Sequence, residues 1–359
     1  MDGSASSSTF DGHLWVTILA GGVGSRFWPV STPARPKQLL PLASERPLLE
    51  DTVGRALRLA PAERIRVLAG RPLVDPFRHA VPHLPESSYL VEPQARGTAP
   101  VLTWAAWRIA REDPDAILVS LHADHLVEPE EAFTRLVREA AGLADRTRAL
   151  VTVGAVPDRA ETGYGYIQPG APLEGPPEGA ARVAAFHEKP DAGRAAEYLA
   201  RGYLWNTGIF VWRADVFLDE VRRHAPEVAE ALPLLEAGNE AAYFDACRPS
   251  PVDVAVLERS GRVAVVPCTF RWDDVGSWAS LPRTRPTDDA GNVAVGSLHA
   301  LESARNVVFA EDAPVVLFGV QDLIVVRTRG VTFVAARERA SELKRLVATL
   351  PPELRDPKV

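Results

Sequence analysis

A glycine cluster, Gly21-Gly22-Val23-Gly24, interrupts the chain directly after the apolar run 15–20, and two cations follow it, Arg26 and Lys37. Glycines at the end of a strand let backbone N–H groups approach a polyanion closely. The Arg26 guanidinium can fork onto terminal phosphate oxygens. Lys37, with Pro33 and Pro36 stiffening the chain ahead of it, can meet a second phosphate at the far end of the same loop. The pattern matches neither of the common glycine loops. No GK[ST] follows Gly21, which excludes a P-loop. Ser25-Arg26-Phe27 stands where a dinucleotide fingerprint requires its third glycine. Lysine usage adds a second clue. Lysine and arginine together number 40, yet only Lys37, Lys189, Lys344 and Lys358 are lysine. The last two read as ordinary surface charges near the C-terminus. Lys37 and Lys189 each adjoin a proline, in PKQ and EKP, and a lysine kept in so Arg-biased a chain supplies a compact point charge that a planar guanidinium does not.

The elements that must position these groups are legible as an alternation. The runs 15–20, 64–70, 88–93, 116–121 and 149–155 are nearly continuous apolar strands, as expected when helices bury both faces. Helical spacing separates them at 47–60, 73–81, 99–112 and 129–145. That order predicts an α/β fold with a Rossmann-like mixed, mostly parallel sheet. After residue 155 the strand candidates become 163–170, 181–190, 208–218 and 262–276, with helical stretches at 192–202 and 214–237. The Pro/Gly-rich patch 169–180 reads as one exposed loop. From about Pro286 short strands with frequent turn residues replace the helices, without a clean internal repeat. The predicted organisation is therefore a disordered lead-in at 1–13, a catalytic domain at 14–285, a small all-β domain at 286–337, and a C-terminal helix and tail at 338–359.

Composition narrows the function classes. A net charge of −7 argues against a nucleic-acid partner. No run of 18 or more apolar residues appears, so no membrane span is expected, and the first residues lack the pattern of a signal peptide. Two cysteines, Cys247 and Cys268, fit a reduced cytoplasm better than a disulfide framework, and read as small buried hydrophobes. Trp104 and Trp107, three apart on a helical stretch, read as packing residues. Asp124 follows the run 116–121, at the carboxyl end of a strand, where ligands collect in open α/β sheets. His122 and His125 flank it, but with no further ligands nearby in sequence a zinc site is not expected.

Taken in order, the motifs resemble the sugar-1-phosphate nucleotidyltransferase family, and most closely its mannose-1-phosphate guanylyltransferase branch. The family's GGxGxRLWPLS…PKQ stands here as Gly21-Gly22-Val23-Gly24-Ser25-Arg26-Phe27-Trp28-Pro29-Val30-Ser31 and Pro36-Lys37-Gln38. EPQARGTAP (92–100) is similar to EPxxRNTAP with Gly97 in place of Asn, and LHADH (121–125) to LPADH with His122 in place of Pro. TGYGYIQ (162–168), FHEKPD (186–191), WNTGIFVW (205–212) and WDDVGSW (272–278) are close matches. SPVDVAVLE (250–258) is a loose match to SIDYAVME. The later isomerase domain of longer members is expected to be absent, since the sequence stops at 359.

The resemblance implies Mg²⁺-dependent transfer of GMP from GTP to mannose 1-phosphate, giving GDP-mannose and pyrophosphate. Asp124 and Asp274 are the implied metal ligands and, with Arg26 and Lys37, the catalytic set. Alignment of W-x-D-V-G-S selects Asp274 over Asp273. Ala20, Gly21, Gly22, Gly24, Ser25 and Arg26 are implied for the nucleotide phosphates. Glu92, Arg96, Gly97 and Thr98 are implied for the base, and the change at 97 leaves the base contact to a backbone N–H. Lys37, Gly165, Glu188, Lys189 and Asn206 are implied for the sugar phosphate. No catalytic His or Ser is expected. The resemblance further implies a short left-handed β-helix-like C-terminal domain, a homodimer and a cytoplasmic location. Two alternatives stay open: the same chemistry on a manno-heptose or glucose 1-phosphate or with another nucleoside triphosphate, and a non-catalytic regulator that binds a nucleotide sugar.

Overall fold

The computed structural model describes residues 10–22, 24–328 and 330–355. Eleven strands precede residue 280: β1 (Leu14–Leu19), β2 (Ile65–Gly70), β3 (Tyr89–Glu92), β4 (Ile117–His122), β5 (Leu126–Glu128), β6 (Leu150–Ala155), β7 (Gly165–Pro172), β8 (Ala181–Glu188), β9 (Leu204–Arg213), β10 (Val263–Pro267) and β11 (Arg271–Asp273). Nine of them form one sheet in the order β3-β2-β1-β4-β9-β6-β10-β8-β7, and β5 pairs with β11 in a separate ribbon. In the large sheet β8 and β9 run against all the others. The mostly parallel α/β sheet expected from the sequence is present.

The central strands are mostly apolar because they feed two cores, with Thr17, Arg66, Ser120 and Thr152 among the buried exceptions. On β1, Val16 and Ile18 point into one core with Val53, Phe133 and Leu136 from the helices Leu48–Leu57 and Glu130–Thr147. Trp15 and Leu19 point into the other, with Trp104 and Phe217 from Thr98–Glu112 and Ala214–His224. A period of two on a strand covered on both faces favours apolar residues at every position, and the exception on β1, Thr17, is fully buried. Trp104 is buried as expected, edge-on to Phe244. Cys247 is buried, whereas Cys268 is only partly so.

Several boundaries differ from the sequence reading for identifiable reasons. The stretch 214–237 is three helices, Ala214–His224, Pro226–Ala229 and Leu232–Glu236, because Pro226 and Pro233 each lack the N–H that would continue a helix and instead begin one. The strand expected across 208–218 ends at Arg213, where the first of these helices begins. The run 262–276 divides into β10 and β11. The patch 169–180 is not wholly loop, since Pro169–Pro172 lie in β7 and Pro172 pairs with Ala181. Of the expected lead-in, residues 1–9 lie outside the described residues. Asp11–His13 form a 3-10 turn, and His13 Nδ1 lies 2.8 Å from Asp113 Oδ1.

The C-terminal domain is a short stack of parallel coils. Its strands are β12 (Val293–Val295), β13 (Leu298–Leu301), β14 (Val307–Ala310), β15 (Val315–Phe318), β16 (Leu323–Arg327) and β17 (Thr332–Ala336). β12, β14 and β16 pair in parallel, as do β13 and β15, and β17 closes the stack antiparallel to β16. Buried asparagines link the coils. Asn306 Nδ2 donates to Asn292 Oδ1 at 2.9 Å and to the Val320 carbonyl at 3.1 Å, while Asn306 Oδ1 accepts from the Leu323 N–H at 3.0 Å. The expected final helix is a 3-10 turn, Arg337–Glu342, followed by Leu343–Thr349 and Pro352–Arg355. Residues 356–359, with Lys358, lie outside the described residues. Among the described residues no helix is long and apolar enough to cross a membrane.

Replacing Asn306 by Ala orphans buried groups on both neighbouring coils. Such groups cost about 1–3 kcal/mol each, so Asn306→Ala is expected to lower unfolding free energy in urea by at least that amount, whereas Ala for the exposed Glu302 leaves it nearly unchanged.

Candidate active site

The site is organised by Lys37. Its side chain is buried, and its ammonium donates to Asp124 Oδ2 at 2.7 Å and to the Asp274 carbonyl at 2.9 Å. One nitrogen thus draws together the loop after β4 and the loop after β11. Gly24 is what admits it, since a Cβ there would lie 2.3 Å from the Lys37 Cβ, and the residue sits at φ 74°. Gln38, next in sequence, pins the glycine loop through its Nε2, which donates to the carbonyls of Gly21 at 3.2 Å and Gly22 at 3.1 Å. With the carbonyls held inward, the N–H groups of Gly21 and Gly22 have no backbone acceptor among the described residues. Ala20 lies at the buried foot of the loop, and Ser25 opens the turn Ser25–Phe27 that carries the exposed Arg26.

The electrostatics follow from burial around that ammonium. Burial alone would raise the Asp124 pKa. Lys37, His125 and His122 outweigh it and hold the group at about 2. Burial pushes both imidazoles down, His125 well below the usual histidine range. The Trp272 indole donates to His125 Nδ1 at 3.2 Å, so that nitrogen carries no proton. His122 and His125 stack at 4.6 Å, and with Asp124 they place ligand atoms within 4.8 Å of one another. The sequence reading set these histidines aside for want of further ligands, and the fold brings them closer to a metal-like group than their spacing suggested.

The two aspartates of WDDVGS separate cleanly. Asp273 is buried, accepting from Arg283 Nε at 2.7 Å and from the Val275 N–H at 2.8 Å. Asp274 faces an open cleft, with its Oδ1 accepting from the Tyr164 hydroxyl at 2.6 Å. Tyr164 in turn packs edge-on against Trp205 and Trp272. Burial and then Asp274 push the Tyr164 pKa upward, so it remains a hydrogen-bond donor. Tyr164 is not among the residues expected at the site, although it adjoins Gly165 in the motif TGYGYIQ (162–168).

Two cavities flank the loops that Lys37 joins, one lined by Asp124 and the other by Asp274. The smaller, of about 270 Å³, is lined by Gly21, Gly22, Glu92, Gly97, Thr98 and Asp124, among others. Burial raises the Glu92 pKa. Gly97 is at φ 86° and ψ 179°, and a Cβ there would come within 2.5 Å of the Ser250 carbonyl oxygen. Only glycine fits that backbone, which explains the departure from the family's Asn. Arg96 is turned elsewhere: its Nε donates to the Phe244 carbonyl at 2.9 Å and a terminal nitrogen to Gln94 Oε1 at 2.8 Å. It is not among the residues that line this cavity.

The larger cleft, of about 940 Å³, holds Arg26, Tyr164, Lys189 and Asp274. Lys189 bonds Glu188 Oε1 at 2.5 Å. Gly165 serves Glu188 directly, because a Cβ there would lie 2.6 Å from Glu188 Oε2. Asn206 is fixed in orientation: its Oδ1 accepts from Thr152 Oγ1 at 3.0 Å and from the Gly208 N–H at 3.2 Å, while its Nδ2 donates to Asp253 Oδ1 at 2.7 Å. Asp253 is a residue the sequence reading missed, because it lies in the loosest motif. Burial and then the nearby Glu188 push its pKa up to about 7.

Comparison with known proteins agrees with this geometry. Residues 16–290 match the family described as Nucleotidyl transferase. The chain belongs to the nucleotidyl transferase family. Residues 296–350 match a second family, the MannoseP isomerase/GMP-like beta-helix domain. The chain is 36% identical over 352 residues to mannose-1-phosphate guanylyltransferase of Escherichia coli strain K12, covering 93% of this chain and 73% of that protein. It is 34% identical over 344 residues to the alginate biosynthesis protein AlgA of Pseudomonas aeruginosa, covering 93% and 71%. The crystal structure of mannose-1-phosphate geranyltransferase from Thermus thermophilus superposes with a TM-score of 0.86 at 34% identity, covering 94% of this chain and 98% of that one. The match of sequence and fold makes this nucleotidyl transferase an enzyme, with the β-helix domain as an integral part.

Three outcomes test this site. Asp273→Asn breaks a buried pair and is expected to lose about 1–3 kcal/mol, while Asp274→Asn stays within about 1 kcal/mol of the parent, both by urea unfolding. Gly97→Ala forces a strained backbone at about 1–3 kcal/mol, visible as a lowered Tm. Asp253 is protonated more readily when folded than its ordinary value of 3.8 allows. The folded state therefore gains stability below that ordinary value and loses it as pH rises through about 7. Asp253→Asn is expected to melt higher than the parent at pH 8, by a margin that narrows as the pH is lowered to about 5.

Proposed function

We propose that this nucleotidyl transferase moves GMP from GTP to α-D-mannose 1-phosphate, forming GDP-mannose and pyrophosphate. The observation that carries the reading is the Lys37 ammonium held between the Asp124 carboxylate and the Asp274 loop, beside a glycine loop whose Gly21 and Gly22 N–H groups have no backbone acceptor among the described residues. The relatives' activity as guanylyltransferases for mannose 1-phosphate supports the choice of substrates.

The reaction brings two polyanions together. A phosphate oxygen of the sugar 1-phosphate forms a bond to the α-phosphorus of the triphosphate, and the bond from that phosphorus to the bridging oxygen breaks, so pyrophosphate leaves with the electron pair. A phosphate monoester is largely ionised at neutral pH, its second pKa being about 6, so no general base is required. The protein's part is positioning and charge stabilisation. Gly21 and Gly22 N–H groups and Arg26 take the nucleotide phosphates, Lys37 sits beside the α-phosphate, and Lys189 meets the sugar phosphate. Glu188 and Asn206, held by Gly165, Thr152 and Gly208, face the sugar hydroxyls. The smaller cavity, with Glu92, Gly97 and Thr98, takes the base. Asp124 gives the ammonium its carboxylate and Asp274 its backbone carbonyl, while the Asp274 carboxylate faces the adjoining cleft; these hard oxygens are a donor set that fits Mg²⁺. Such an ion, when bound, supplies further neutralisation of phosphate charge.

Purified protein supplied with GTP, Mg²⁺ and a panel of hexose 1-phosphates is expected to release pyrophosphate fastest with mannose 1-phosphate. Preference for glucose or manno-heptose 1-phosphate, or for ATP, dTTP or UTP, overturns the substrate assignment. Lys37→Ala and Asp274→Ala are each expected to lower kcat/KM by about 10²–10³-fold; full turnover in Asp274→Ala would remove Asp274 from the catalytic set, and a parent that binds GDP-mannose but turns over no sugar 1-phosphate would return the regulator reading.

A further inference from the structure

The larger cleft is lined from two domains. Alongside Arg26, Lys189 and Asp274 it is bounded by Asp322, Arg337 and Ser341 from the β-helix domain and the turn that follows it. Arg337 opens that turn directly after β17, and its N–H bonds the Asp322 carbonyl at 2.8 Å, which fixes where its side chain departs. Among the described residues the half-buried guanidinium makes one hydrogen bond, a long 3.4 Å contact with the Arg305 carbonyl. Two acids share this wall: Glu338, the exposed next residue, forms no ion pair with Arg337 among the described residues, and Asp322 is already gripped by Arg305, with Nε to Oδ1 at 2.9 Å and a terminal nitrogen to Oδ2 at 2.5 Å. Arg283, also on the cleft, is held by Asp273. Arg26 has no carboxylate partner among the described residues. The cleft therefore presents two guanidiniums with unused donors, one from each domain. A guanidinium fork in this state matches the oxygens of a phosphate chain.

We infer that Arg337 contacts the substrate and, with Arg26, grips the terminal phosphates of the nucleotide, so that pyrophosphate leaves between the two domains. The inference rests on the reaction proposed above, but the binding it asserts does not require turnover. The phosphate chain links the domains electrostatically, and the β-helix domain supplies part of the active site as well as supporting it.

The test compares Arg337→Ala and Arg337→Lys with Arg339→Ala, a control whose side chain is paired to Glu342 and does not line the cleft. Binding of inorganic pyrophosphate is followed by intrinsic tryptophan fluorescence, and KM values are measured for GTP and for mannose 1-phosphate. Arg337→Ala is expected to weaken pyrophosphate binding and raise the KM for GTP by about tenfold or more, as for loss of a charged hydrogen bond. Arg337→Lys is expected to fall between, with the control and the KM for mannose 1-phosphate within about twofold of the parent. A folded Arg337→Ala protein that binds pyrophosphate as tightly as the parent overturns the inference, as does an effect confined to the sugar phosphate. If the parent turns over no sugar 1-phosphate yet loses pyrophosphate affinity on Arg337→Ala, the reaction is wrong and this contact stands.

Discussion

A buried ammonium between two acidic loops is the constraint on which the rest of this structure depends. Lys37 is taken out of water, which is unfavourable for any charge unless partners replace the solvent. Asp124 and the Asp274 carbonyl do so. In return the ammonium holds two segments 150 residues apart in sequence at one point, and with His125 and His122 it outweighs burial and holds the Asp124 pKa at about 2, so the carboxylate stays ionised. Gly24 and Gln38 are consequences of the same arrangement, the first making room for the lysine stem and the second fixing the loop carbonyls.

The support for that point comes from an apolar core shared by both domains. Phe27 and Trp28 from the glycine loop, Trp278 from the Asp274 loop, Phe309 and Phe333 from the β-helix, and Leu343 from the terminal helix belong to one cluster. Its polar edges are matched too: the Trp278 indole donates to the Trp28 carbonyl at 3.1 Å, and the Trp28 indole to the carbonyls of Leu354 at 3.3 Å and Arg355 at 3.2 Å. The β-helix domain is thus packed against the backs of the two loops whose fronts carry Arg26 and Asp274. Catalysis by preorganised charge depends on such rigidity, because a displaced donor loses its advantage over water.

The sequence made the sheet readable for a physical reason, since strands buried on both faces are dominated by apolar residues and blur the pattern little. The choice of Asp274 over Asp273 rested on the resemblance alone. What the sequence hid were relations between distant segments. Nothing near Arg96 announces the Phe244 carbonyl that claims its guanidinium, and nothing near Gly97 announces the Ser250 oxygen that forbids a Cβ. Asp253 acquires its raised pKa from burial and from Glu188, on a strand far away in the chain. The coil repeat was present in letters, Asn292-Val293-Ala294-Val295 and Asn306-Val307-Val308-Phe309, but the spacing to the next coil differs, and the stacked asparagines become evident only once β12, β14 and β16 lie side by side.

The central claim is that Lys37 holds the Asp124 carboxylate in its ionised form. Carboxyl carbon chemical shifts of Asp124, followed against pH in the parent and in Lys37→Ala, test it without any substrate. The account predicts a titration near 2 in the parent and one displaced to or above the ordinary aspartate value of about 3.9 once the ammonium is removed. An Asp124 that titrates identically in both proteins contradicts it.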